Sequence, residues 1–193
     1  MTIISTAPES EATGLVAEQY AADVRAQGYV ASHTAVMAVN PEAVAAFETL
    51  VRAITARMDL RRYELVTLAA ARGTRSPHCR LAHGRKTLAA GVLDADALTA
   101  VAGDYAGSGI LTPAEVAMMR FAERVGGDDS ASMTDDDARV LREQGFDDRE
   151  IVDIALAAAV RSYYGKALQA LAVPVDVPPT LSPAVRDALV EGL

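Results

Sequence analysis

Residues Glu64 to His83 read ELVTLAAARGTRSPHCRLAH, and this stretch decides the fold. Its first half, to Arg72, is rich in helix formers with apolar positions at helical spacing. Gly73-Thr74-Arg75 breaks that helix, and Ser76-Pro77 starts another. A capping hydroxyl stands before a proline at the first helical position, where the missing N–H costs nothing and the fixed φ suits a helix. The expectation is a helix hairpin, with 61–72 folded back beside 77–90.

The same punctuation recurs outward in both directions. Asn40-Pro41, Thr112-Pro113 and Ser182-Pro183 repeat the cap-proline start, while Thr112 with Glu115 and Asp147 with Glu150 have capping-box spacing. Gly28, Gly73, Gly91, Gly126-Gly127 and Gly145 read as stops. Between these marks the pattern predicts helices over Leu15–Gln27, Pro41–Met58, Arg61–Arg72, Pro77–Ala90, Ala95–Ala102, Pro113–Val125, Asp135–Gln144, Asp148–Leu171 and Pro183–Glu191, and no strand. The fold class is therefore all-α. Residues 1–13 read as an extended arm, 14–172 as the helical domain, and 173–193 as a proline-rich linker with a short last helix. A faint internal repeat lays Glu64–Arg72 over Glu150–Ala158, which suggests two lobes.

The bulk properties exclude several function classes. A chain of 193 residues with a formal charge of −8 has no basic surface to neutralise a run of phosphates, nor to hold an anionic membrane. No apolar run reaches the ~20 residues of a membrane span, and Met1–Ser10 lacks the layout of a signal peptide. The single cysteine allows no internal disulfide, which fits a reducing cytoplasm. Alanine dominates and Trp is absent, as suits helices packed through small side chains.

That cysteine is the centre of any chemistry. With Ser76 as N-cap, Cys79 falls in the first turn, where unpaired N–H groups and the helix dipole favour thiolate over thiol. The dipole supplies only ~0.3–2 kcal/mol, so a base is needed. His83, one turn later on the same face, can take the thiol proton. Glu64 sits in an apolar run and must find a partner once buried; the hairpin would let it orient His83. His78 is a second proton carrier at the mouth of such a site.

Glu64, Ser76, His78, Cys79 and His83 together resemble the redox motif of the alkylhydroperoxidase D and carboxymuconolactone decarboxylase superfamily, peroxidase-related branch. That motif is a glutamate, eleven residues, then Cys-x-x-Cys-x-x-x-His, often with a histidine before the second cysteine. Here Ser76 stands in place of the first cysteine. The resemblance runs on through Leu111–Glu123, Gly145–Ala155 and Ala172–Pro174. It implies an AhpD-like fold, a homo-oligomer (trimer or hexamer), and an antioxidant activity of peroxiredoxin type that reduces hydroperoxides. With Ser76 the motif's internal disulfide cannot form. What the resemblance leaves is one-cysteine chemistry, in which Cys79 becomes a sulfenic acid resolved by an external thiol, with Ser76 capping the helix and supporting the thiolate.

Other readings stand beside this one. On the decarboxylase side of the superfamily, His83 would be a general acid and base oriented by Glu64, with Cys79 incidental. A third possibility is a non-enzymatic scaffold with a relic site. None of these calls for a metal or an organic cofactor; His78 and Cys79, adjacent on a helix, diverge by about 100° and chelate poorly. His33 reads as a surface or packing histidine, and Asp135-Asp136-Asp137 after Thr134 as helix capping. Met118, Met119 and Phe121 read as core, and Tyr163 and Tyr164 as packing residues, one of whose hydroxyls could reach the pocket.

Overall fold

A computed structural model of the chain describes residues 3–193. Ten α-helices follow one another among these residues, with no strand: α1 Gly14–Gln27, α2 Ser32–Met37, α3 Pro41–Thr55, α4 Leu60–Gly73, α5 Pro77–Ala89, α6 Ala95–Asp104, α7 Pro113–Gly126, α8 Asp135–Glu143, α9 Asp148–Ala170 and α10 Pro183–Val190. Short 3-10 turns cover Glu9–Glu11 and Asp128–Ser132. The starts follow the sequence punctuation. Asn40, Ser76, Thr112 and Ser182 each accept a backbone N–H at the head of their helix. Thr112/Glu115 and Asp147/Glu150 form complete capping boxes, and the Thr134 N–H donates to Asp137 in the acidic run.

α4 is the centre of the molecule. Leu65, Val66, Leu68, Ala69, Ala70 and Ala71 are all buried, as expected of a helix that is apolar all round. It packs against α5, α7 and α9. Two glycines read from the sequence as stops do end α4 and α7, and they have a second task. A Cβ on Gly73 would meet the Glu123 carbonyl oxygen, and one on Gly126 the Ala70 carbonyl oxygen. These two residues let the backbones of α4 and α7 touch, which any side chain would prevent.

Between Gln27 and Pro41, where the sequence pattern predicts no helix, lies α2. Its N-cap position, Ala31, has no capping side chain. The cap comes instead from the proline-rich linker, where Asp176 accepts the Ser32 N–H at 2.6 Å and the Ser32 hydroxyl at 2.8 Å. Both terminal segments lie on the chain's own core. Ile4 packs beside Val36, Leu168 and Val173, and α10 buries Val185 and Leu189 against α5 and α6. Met1 and Thr2, part of the expected arm, lie outside the described residues. No described helix is long and apolar enough to cross a membrane.

Candidate active site

The α4–α5 hairpin forms as the sequence predicts and sets the site. Thr74 ties the break down by donating its hydroxyl to the Ala70 carbonyl at 2.9 Å, and Arg75 takes the left-handed conformation at φ 54° that reverses the chain. Ser76, fully buried, accepts the Cys79 N–H at 3.4 Å, which places Cys79 in the first turn of α5. Cys79, His78 and His83 all line one cavity of about 350 Å³. Ser76 is not among its lining residues; it holds the turn from behind.

Glu64 reaches His83 across the hairpin. Its Oε2 lies 2.7 Å from Nδ1, and both side chains are buried. Burial pushes the Glu64 carboxyl up to about 7 against the pull of nearby cationic side chains, Lys86 first. Burial likewise holds His83 well below its ordinary value, so its ring is neutral near pH 7. With Glu64 ionised, Nδ1–H donates to the carboxylate and Nε2 is left bare for the cavity. The repeat partner of Glu64 is not its functional equivalent: Glu150 closes a capping box and pairs with Arg62 at 2.6 Å.

His78 is fixed differently. Its Nε2–H donates to the Val173 carbonyl at 3.0 Å, while Nδ1 is buried with no hydrogen-bond partner. Burial lowers its pKa more than the Val173 bond raises it, so the ring is neutral and Nδ1 is an unpaired acceptor. His33 is a cavity residue within this same chain, carried there by α2, and burial lowers its pKa to about 4. Tyr164 also lines the cavity, edge-on to His33 and 4.9 Å from the Phe47 ring, while Tyr163 faces solvent.

Sequence reasoning missed Tyr63, Lys86 and Arg161. Tyr63 stands edge-on to His83, with centroids 5.9 Å apart. Arg161, in the middle of α9, is only 7 % exposed and donates to the Tyr63 hydroxyl at 3.1 Å. A signal was available, since Arg161 interrupts an apolar run just as Glu64 does. Among the described residues no three His, Cys, Asp or Glu side chains converge as a metal site would need.

No protein-family model matches the chain, and no curated protein matches its sequence. Solved structures do match. One is the alkylhydroperoxidase AhpD core of an uncharacterized peroxidase-related protein from Ralstonia eutropha JMP134, with TM-score 0.72 and 20 % identity over 91 % of this chain and 92 % of that one. The chain has an AhpD-like fold. An uncharacterized peroxidase-related protein from Silicibacter sp. TM1040 shares the AhpD-like arrangement at TM-score 0.65 and 19 % identity, over 94 % of this chain and 96 % of that one. So does the debrominase Bmp8, solved as a cysteine-to-alanine variant with 2,3,4-tribromopyrrole, at TM-score 0.76 and 15 % identity over 98 % and 96 %.

Proposed function

We propose that this AhpD-like chain is a one-cysteine thiol peroxidase. The observation that carries this reading is the buried Glu64–His83 pair in the cavity that Cys79 lines. His83 Nε2 takes the thiol proton, and Glu64 holds the ring in the tautomer that can do so. The Cys79 thiolate attacks the terminal oxygen of a hydroperoxide, so that an S–O bond forms and the O–O bond breaks. Sulfur is oxidised by two electrons to the sulfenic acid, and the departing alkoxide leaves as alcohol with the proton held on His83. His78, which lines the cavity and whose Nδ1 has no hydrogen-bond partner, accepts the hydroperoxide O–H and aims its terminal oxygen. An external thiol then condenses with the sulfenic acid and releases water. A second thiol restores Cys79 and carries away the disulfide.

A cavity of about 350 Å³ exceeds what hydrogen peroxide needs, so the substrate carries an organic group against Phe47, Val51 and Tyr164. Self-association belongs to the same proposal. Val152, Leu156 and Tyr163 are 53, 46 and 57 % exposed along one stripe of α9, an apolar face suited to a second copy. Consumption of cumene hydroperoxide with dithiothreitol tests the activity. Cys79→Ser is expected to abolish it, and an undiminished rate in that variant would move the chemistry to acid–base work at His83.

Likeness to a debrominase supports a second reading with the same residues. The thiolate would take a halogen from a small ring, forming S–X as C–X breaks, and the ring carbon would take the proton from His83. An external thiol then displaces halide from sulfur. Halide release from a brominated pyrrole distinguishes this reading from the first.

A further inference from the structure

Arg161 is a buried cation that forms no ion pair among the described residues, and its Nε has no hydrogen-bond partner. An uncompensated charge in such a place is costly. Each carboxylate round the cavity is already engaged. Glu64 holds His83 at 2.7 Å, Glu48 faces Arg52 at 3.8 Å, and Asp23 accepts the Ala31 N–H at 3.0 Å. His33 is neutral, and Lys86 is exposed at the mouth. The remaining acid beside it is Cys79, which lines the same cavity as Arg161; burial would lower the guanidinium's pKa, and the neighbouring Cys79 and Tyr63 raise it.

We propose that Arg161 is a catalytic residue of this site, the counter-ion first of the Cys79 thiolate and then of the charge growing on the leaving oxygen, with Tyr63 as its positioning residue. This rests on the thiol reading above. Arg161 neutralises the sulfur while His83 holds the proton, so the two charges of the activated state have separate partners. As the O–O bond breaks, negative charge moves from sulfur to the departing oxygen, and a planar guanidinium with five N–H donors can follow it. The Tyr63 hydroxyl, 3.1 Å from Nη2, fixes the plane of the fork.

Alkylation of Cys79 by iodoacetamide, followed by intact mass, tests this without any peroxide. At pH 7, Arg161→Met is expected to slow alkylation by about tenfold or more, the size of a lost charge-assisted hydrogen bond. The rate–pH profile should also move to higher pH in that variant, which loss of packing alone would not cause. Arg161→Lys should recover most of the rate, and Tyr63→Phe should fall between. If Arg161→Met does not fold, Arg161→Gln, which lacks the charge, and Tyr63→Phe carry the test, and wild-type rates and profiles in both would overturn the assignment. An unchanged rate and profile in a folded Arg161→Met would also overturn it. Rapid, Arg161-dependent alkylation in a protein inert to peroxides would uphold the assignment and defeat the peroxidase reading alone.

Discussion

Glu64 and His83 lie nineteen positions apart in the chain, yet their side chains meet at 2.7 Å inside the protein. The α4–α5 hairpin makes that contact, and the contact decides which ring nitrogen faces the cavity. His83 can act as a base only while Glu64 is ionised, because a protonated carboxyl would donate to Nδ1 and leave the hydrogen on Nε2. In the proposed reaction, control therefore passes from the histidine to the carboxylate.

A pH profile follows from this relationship. The Glu64 carboxyl titrates near 7, so kcat/KM of the wild type is expected to rise with pH through about 7. In Glu64→Gln the amide oxygen still accepts Nδ1–H, but nothing titrates there, so the limb near 7 should vanish while the plateau falls about tenfold or more. Stopped-flow rates between pH 5.5 and 8.5 check both effects.

The same pair shapes stability against pH. A raised carboxyl pKa means the folded state holds a proton that the unfolded state has lost, so this contribution disappears as pH rises from ~4.3 toward about 7. A lowered histidine pKa has the opposite sign, and stability is lost as pH falls below ~6.5. In the wild type the two slopes oppose each other. Glu64→Gln removes the first, so its melting temperature should drop more steeply below about pH 6.5 than that of the wild type.

Close contact between α4 and α7 gives a packing prediction. A methyl group on Gly126 would collide with the Ala70 carbonyl oxygen, and two helix backbones must part to admit it. Gly126→Ala is expected to destabilise by about 3 kcal/mol, at the upper end of overpacking costs. Urea unfolding measures it, and a loss below ~1 kcal/mol would show that the helices part easily.

Asp176 joins the linker to the cavity wall. Asp176→Ala removes both bonds at the head of α2, at a cost of about 1 kcal/mol typical of a lost helix cap. α2 carries His33, Thr34 and Met37 into the cavity, so KM should rise more than kcat falls. Hydrogen exchange over 32–37 should quicken in the variant while α4 stays protected.

Much of this was legible because capping is local. A hydroxyl or carboxamide followed by proline signals a helix start within two or three residues, and all four such signals mark real starts. The Glu64–His83 pairing was legible too, since a buried carboxylate needs a partner and a hairpin limits the choice. α2 was not legible: it is six residues long and its cap lies 144 positions away. Gly73 and Gly126 do end α4 and α7 as read, but their second task, the close approach of the two helices, was not legible, because no local pattern encodes a neighbouring helix. Arg161 escaped notice because its partner Tyr63 and its cavity neighbour Cys79 belong to other helices, and only the packing of α9 against α4 and α5 brings them together.

The proposed chemistry stands on an activated thiol at Cys79, and trapping its sulfenic acid is the decisive measurement. Wild type and His83→Ala would each be mixed with stoichiometric cumene hydroperoxide and a dimedone-type trap, with the adduct followed by intact mass. Rapid adduct formation on Cys79 is expected in the wild type, with a loss of about a hundredfold in rate without the base. Slow oxidation at equal rates in the two proteins would contradict it.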